Sequence, residues 1–318
     1  MSVRSIIRSM FMASCTVVAC GTVYGEDLSG KIAEAWAQRI NSVSTAQFEI
    51  ESTCFKPKSS LDGRWGFPGP IPRTDLTLGT KTKLFLSGEL TRLESDGQVV
   101  DLSTGQPSPH VEVLVVQPDG EIRELRANPK GRSTGLIKRD SHELTELSLM
   151  PVLWACHAPS TPEFDNLSIT RVGPPAFAVD ALHLTNKDGT QQFWLDVNRD
   201  YSVVRLTRHY PGDSKQRFQL DIDYMNAPKA RWVPSRWSYT WHKANRLKEK
   251  VEARLTSYKL NAPLKPGLFT LAFPAGTPVY DMTDPKVQVL YKYLPSGERV
   301  EVSREVLGGG RKNPPLLQ

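Results

Sequence analysis

Long stretches of this chain alternate apolar and polar residues with a period of two, and no other feature constrains the fold as much. Between Lys215 and Tyr224, the side chains of Phe218, Leu220, Ile222 and Tyr224 share one side, while Arg217, Gln219, Asp221 and Asp223 share the other. Trp237, Tyr239 and Trp241 alternate in the same way with Arg236, Ser238 and Thr240. Successive side chains of a strand point to opposite faces, so such segments build a sheet with one apolar and one wet face, as antiparallel sheets have. The pattern recurs from Phe48 to Cys54 and over Thr80–Leu86, Glu89–Ser95, Gln98–Leu102, His110–Gln117, Glu121–Leu125, Asn166–Val172, Ala178–Thr185, Gln191–Asp196 and Val203–His209. Ser87-Gly88, Asp96-Gly97, Asp119-Gly120 and Asp188-Gly189 supply turn signals between them. Lys248–Leu260 adds a long strand whose apolar phase slips between Leu255 and Tyr258, which predicts a bulge. No strand–helix–strand alternation occurs, which excludes a doubly wound sheet. The expected fold is mainly β (α+β), one large, strongly curved antiparallel sheet.

Helical spacing is confined to two places. Ile32, Trp36, Ile40 and Val43 predict an amphipathic helix over Ser29–Val43, with Ser29 as its cap. Ser141–Ala158 carries Leu144, Leu147, Met150, Leu153 and Trp154, and predicts a short apolar helix interrupted at Pro151 that plugs the concave side of the sheet. Lys56–Gly79 reads as a long loop rich in proline and glycine, bearing Trp65 and Phe67. Those two rings either fold back over the mouth of the sheet or face a membrane or partner, so Trp65, Phe67, Leu153 and Trp154 are candidate lid residues. Near the end, Val287–Tyr293 and Arg299–Ser303 predict a hairpin around Pro295-Ser296-Gly297, followed by a disordered tail.

The first residues bear on compartment. Arg4 and Arg8 precede a run without charge from Ser9 to Gly25, with Met10 to Val18 apolar and Val23-Tyr24-Gly25 a small-residue cleavage site. That is the layout of a secretory signal peptide, and the run is short for a membrane-spanning helix. Val17-Val18-Ala19-Cys20-Gly21 also matches a bacterial lipobox, and processing at Cys20 would instead anchor the protein by lipid. The expectation is an exported, periplasmic or envelope-associated protein with a signal over 1–25, a main domain over 26–282 and a hairpin and tail over 283–318. Cys54 and Cys156 remain in the mature chain, and in an oxidising compartment they either form a disulfide or sit as two buried thiols. The formal charge of +6 includes Arg4 and Arg8, so the mature excess is mild.

Motifs for chemistry are missing. The histidines are scattered singly, His142-Glu143 lacks the second histidine of a zinc-binding helix, and there is no P-loop, dinucleotide fingerprint or nucleophile elbow. Asp221 and Asp223 share a strand face, where solvated carboxylates are the ordinary case. Trp237-x-Tyr239-x-Trp241, flanked by Arg231, Arg236, Lys243 and Arg246, could imitate a base-stacking platform. Export argues against nucleic acid, and the stripe reads as cavity lining or core. No cofactor, no metal and no catalytic residue is expected.

The stretch from Phe269 through Pro274, Gly276 and Val279 to Asp281 follows the spacing F-x-x-x-x-P-x-G-x-x-V-x-D. It resembles the closing segment of the LolA-like family of periplasmic lipoprotein carriers and receptors. Phe193-Trp194-Leu195-Asp196 followed by Val203-Val204-Arg205-Leu206 is similar to that family's pair of central strands. The resemblance implies a half-open antiparallel barrel with helices over its mouth, enclosing an apolar cavity for acyl chains. Phe218, Leu220, Ile222, Trp237, Tyr239 and Trp241 would then line the cavity. The implied role is a non-enzymatic carrier or sensor of lipid or lipoprotein acyl chains, in possible contact with a membrane. The alternative is an envelope interaction module with no ligand. The family's lid-latching arginine has no assignable counterpart in the sequence, and Lys56–Gly79 and the chain beyond Asp281 are additions.

Overall fold

The computed structural model describes residues 28–60, 74–101, 104–127, 133–139, 148–156, 168–172, 179–210, 213–227 and 231–306. The expected export signal, Cys20, Trp65 and Phe67 lie outside the described residues. Two helices are described, α1 (Leu28–Ser42) and α2 (Met150–Cys156). The first eight strands are β1 (Thr45–Lys56), β2 (Leu76–Ser87), β3 (Leu90–Asp101), β4 (Gln106–Val116), β5 (Glu121–Ala127), β6 (Ser133–Arg139), β7 (Ser168–Val172) and β8 (Ala181–Thr185). The others are β9 (Gln191–Asp196), β10 (Ser202–Tyr210), β11 (Asp213–Ala227), β12 (Arg231–Lys243), β13 (Arg246–Leu260), β14 (Pro278–Met282), β15 (Val287–Tyr293) and β16 (Arg299–Val306).

All of these strands belong to one curved, open sheet in the order β16-β15-β14-β6-β5-β4-β3-β2-β1-β13-β12-β11-β10-β9-β8-β7. Neighbours pair antiparallel except β6 with β14, which run parallel with Gly135 beside Val279. The alternating pattern had no means of announcing that exception. The hairpin between β12 and β13 turns on Ala244 and Asn245, both in the left-handed region (φ 51° and 60°), as a two-residue turn between right-twisted strands requires. The slipped phase of β13 is a bulge: Ile50 pairs with Leu255 and Glu49 with Ser257, leaving Thr256 unmatched.

Three local expectations change. Asp96-Gly97 is not a turn, because β3 runs straight through it. A Cβ on Gly97 would sit 2.5 Å from Thr80 Oγ1, so the glycine permits close approach of β2 rather than a reversal. Lys56–Gly79 is loop for less of its length than expected, since β1 continues to Lys56 and β2 starts at Leu76. Pro151 does not interrupt α2. It lies in the first turn, where a missing N–H breaks no helical hydrogen bond.

The main core covers the concave face. Phe48, Leu84, Leu93, Leu206, Leu220 and Val233 are essentially inaccessible, and Ile32 and Trp36 of α1 with Val152 and Trp154 of α2 close over them. A smaller core lies on the other face of β4–β6, where residues 262–277 cross from β13 to β14 and bury Leu271 and Phe273 against Val115, Ile137 and Val279. This explains the closing pattern in the sequence. Phe269 and Phe273 fill the small core, Gly276 turns at φ +83°, and Val279 is fully buried. Asp281 Oδ1 then accepts from the backbone N–H and the hydroxyl of Thr283.

Candidate functional site

The concave face follows from the alternation. On β11, Phe218, Leu220 and Ile222 point inward and pair across to Trp241, Tyr239 and Trp237 of β12. Trp237 continues to Ala253, Tyr239 to Val251, and Trp241 to Glu249 on β13. Another rung crosses the other half of the sheet, from Tyr258 and Phe48 through Leu84, Leu93, Leu114, Glu124, Leu136 and Tyr280 to Leu290. The sequence thus groups the proposed lining residues correctly on one surface.

The hollow expected beneath them is filled. Phe218, Leu220, Ile222, Trp237 and Tyr239 are buried in the packed main core together with Trp154, and only Trp241 is half-exposed. Leu153 packs against that core from its edge. The physical reason is α2, whose apolar side chains occupy the space a ligand would need. Trp237 Nε1 donates to the carbonyl of Ser148 at 2.7 Å, which fixes the start of α2 to the sheet. Trp237 and Tyr239 therefore face the core and are not free to stack on bases.

Arg39 joins the covering elements. It lies three residues beyond Trp36 and seven beyond Ile32, on the buried side of α1, and burial lowers its pKa. Its guanidinium donates to the carbonyl of Asp200 at 2.8 Å, to Ser202 Oγ at 3.1 Å and to the carbonyl of Trp154 at 3.4 Å. Trp36 Nε1 donates to the next carbonyl, of Tyr201, at 3.0 Å. Asp200 and Tyr201 both have positive φ (51° and 55°), a strained pair without glycine. One helix thus grips a strained turn with two side chains and reaches α2 with one of them. The sequence signal for Arg39 was its spacing, but a polar residue at that spacing reads as helix surface.

Towards the far end of the same face, burial decreases and polarity rises. Tyr239 donates its hydroxyl to Glu249, and Lys56 Nζ lies 2.8 Å from the same carboxylate. Burial works against the Lys56 ammonium, but Glu249 more than offsets it and raises the lysine's pKa above its ordinary value. Cys54 and Cys156 are free thiols, so the disulfide left open by the sequence is absent. Cys54 belongs to this half-buried end of β1, whereas Cys156 closes α2 beside Arg39. Burial pushes their pKa values up to about 11 and about 12, which makes both poor nucleophiles.

The outer face offers a different surface. Asp221 pairs with Arg205 and accepts from Gln219, so it belongs to a solvated charge ladder rather than a facing carboxylate pair. A polar cleft of about 430 Å³ lies between Arg123, Arg139, Arg299, Glu121, Asp281 and Asp284, with Ile137 as floor. Its charges balance, and it suits no hydrocarbon. Among the described residues no group of three or more His, Cys, Asp or Glu is placed to hold a metal, and no helix is long and apolar enough to cross a membrane.

No protein-family model and no curated protein matches the chain. Solved structures do match in shape. A "putative outer membrane lipoprotein-sorting protein domain" from Vibrio parahaemolyticus is 14% identical, with 76% of this chain and 95% of that one covered and a TM-score of 0.43. A LolA superfamily protein from Nitrosomonas europaea is 11% identical, with 75% and 97% covered and a TM-score of 0.37.

Proposed function

We propose that this protein is an exported, non-enzymatic carrier or sensor that holds the acyl part of a lipid or lipoprotein on the concave face of its sheet. The observation that carries this reading is the cover over that face. α2 is only seven residues long, and two side-chain hydrogen bonds, from Trp237 and Arg39, tie it and its leading residue to the framework. Displacing it would uncover a continuous apolar trough floored by Phe218, Leu220, Ile222 and Trp237. Each CH2 group buried there contributes about 0.8 kcal/mol, so roughly ten of them supply about 8 kcal/mol, enough to compete with a short helix. The described state is then the closed one, and the ligand takes the place of α2. The closing pattern from Phe269 to Asp281 supports the same reading by its resemblance to lipoprotein carriers.

Native mass spectrometry of protein gently extracted from its own host tests this, together with uptake of a fluorescent acyl probe. Co-purifying lipid and saturable uptake are expected. Repeated recovery of empty protein that takes up no probe overturns the reading.

The filled interior favours a second reading, an envelope interaction module whose concave face is simply core. Trp237→Ala discriminates between them. Packing alone predicts a loss of about 3–5 kcal/mol, the usual cost of emptying a core tryptophan site. A trough that opens predicts a similar loss, since Trp237 is packed in the closed state, together with wild-type probe uptake that the variant clearly weakens.

A further inference from the structure

The cross-strand rungs of the concave face change character over one step. Leu220, Tyr239, Val251, Cys54 and Leu78 form one rung from β11 to β2, apolar apart from the Tyr239 hydroxyl and the Cys54 thiol. The next rung towards the far end holds Phe218, Trp241 and Glu249, then Lys56 and Leu76. An ion pair thus stands in line with the trough floor, between a half-exposed tryptophan and a buried leucine. The Lys56 and Glu249 side chains are 31% and 20% exposed. Glu249 is fully engaged, since Lys56 holds one of its oxygens and the Tyr239 hydroxyl the other. Lys56 is not. Of the three N–H donors of an ammonium, the carboxylate takes one, and among the described residues no other acceptor meets it. The neighbouring cations are occupied elsewhere: Lys248 donates to the carbonyl of Ser59 at 3.1 Å, and Lys250 pairs with Glu252.

We propose that the Lys56–Glu249 pair receives the linkage end of the ligand: Lys56 donates to the carbonyl oxygen of an acyl ester or amide, and Glu249 turns away free fatty acids. The inference rests on the acyl-binding reading above and names the ligand class and its orientation in the same trough. A chain lying over Phe218, Leu220 and Tyr239 brings its polar end to this rung, because in the opposite direction the floor continues as Ile222, Trp237 and Ala253. A neutral carbonyl gives Lys56 an acceptor without adding charge to a pair that is already balanced. A free carboxylate adds a second negative charge beside Glu249 and must also lose its water, which is costly when the nearest counter-charge is shared. Burial opposes the charge on Lys56 and Glu249 outweighs it, so the donor stays an ammonium at neutral pH.

The test is titration of the full chain with pyrene-labelled probes of equal chain length at neutral pH: a fatty acid methyl ester, the free fatty acid, and an alkane without an acceptor. A hydrogen bond from a charged donor is worth about tenfold or more in affinity, so the ester should bind at least about tenfold tighter than the alkane. The free acid should bind more weakly than the ester. Lys56→Met should bring the ester and the alkane to equal affinity. Glu249→Gln leaves Lys56 without its counter-charge and should reverse the order of ester and free acid, and it serves also if the first variant fails to fold. Three outcomes overturn the anchoring and leave the acyl-binding reading standing: equal wild-type affinity for ester and alkane, an ester preference that survives Lys56→Met, or a free acid that binds as tightly as the ester. Uptake of none of the probes overturns both.

Discussion

Replacing Glu124 by Gln preserves shape and removes only the ability to carry charge, so it isolates what that charge does to the folded protein without any ligand. In the native state the carboxyl keeps its proton up to about pH 7, against an ordinary value of 4.5. Below about pH 4.5 it is protonated whether the chain is folded or not, and it contributes no difference. Between 4.5 and 7 the folded state holds more proton than the unfolded one, so stability falls as pH rises; above 7 the penalty is complete. At roughly 1.4 kcal/mol per tenfold, that gap is worth about 3 kcal/mol. Burial drives the shift, and the pull of Arg126 on the charged carboxylate is already contained in that net value. The variant should therefore be more stable than wild type by about 3 kcal/mol at pH 8 and nearly equal to it at pH 4.5. Urea unfolding at the two pH values reads this directly. A stability difference that is the same at both, or a glutamine variant that is weaker at pH 8, refutes the reasoning.

Gly135→Ala should destabilise by about 1–3 kcal/mol, since its Cβ would lie 2.6 Å from the Phe273 ring and 2.7 Å from Val279 Cγ2 in the small core. The loss should appear in thermal unfolding and be partly recovered by Phe273→Leu. Alkylation of native protein at pH 8 should be slow at Cys54 and slower at Cys156, with both reacting fully in denaturant. Mass analysis after alkylation reads the two sites, and rapid native labelling of Cys156 would contradict its burial.

The sheet was legible because alternation is local: Arg217 to Tyr224 shows its two faces in eight residues, and the structure keeps them. What was not legible depends on neighbours distant in sequence. Gly97 looks like half of an Asp-Gly turn until Thr80 is placed against it. The parallel pairing of β14 with β6 leaves no mark in either strand. Glu124 alternates as well as any surface glutamate, and only register reveals leucines on both sides. The role of the concave face was ambiguous for a related reason. Large aromatic side chains on a concave face are equally consistent with a lined cavity and with a packed core, and the choice rests on α2, whose docking depends on Trp237 and Arg39.

The junction between β6 and β14 also bears on the order of assembly. Ser133 and Thr277, whose hydroxyls meet there at 2.8 Å, are 144 residues apart. Closing so long a segment is slow compared with forming the neighbouring hairpins. Until it happens, β6 is a bare edge, with unpaired backbone groups able to recruit another nascent chain. The final strands thus act as a late-arriving seal, and any condition that delays them prolongs the period in which clumping competes with maturation.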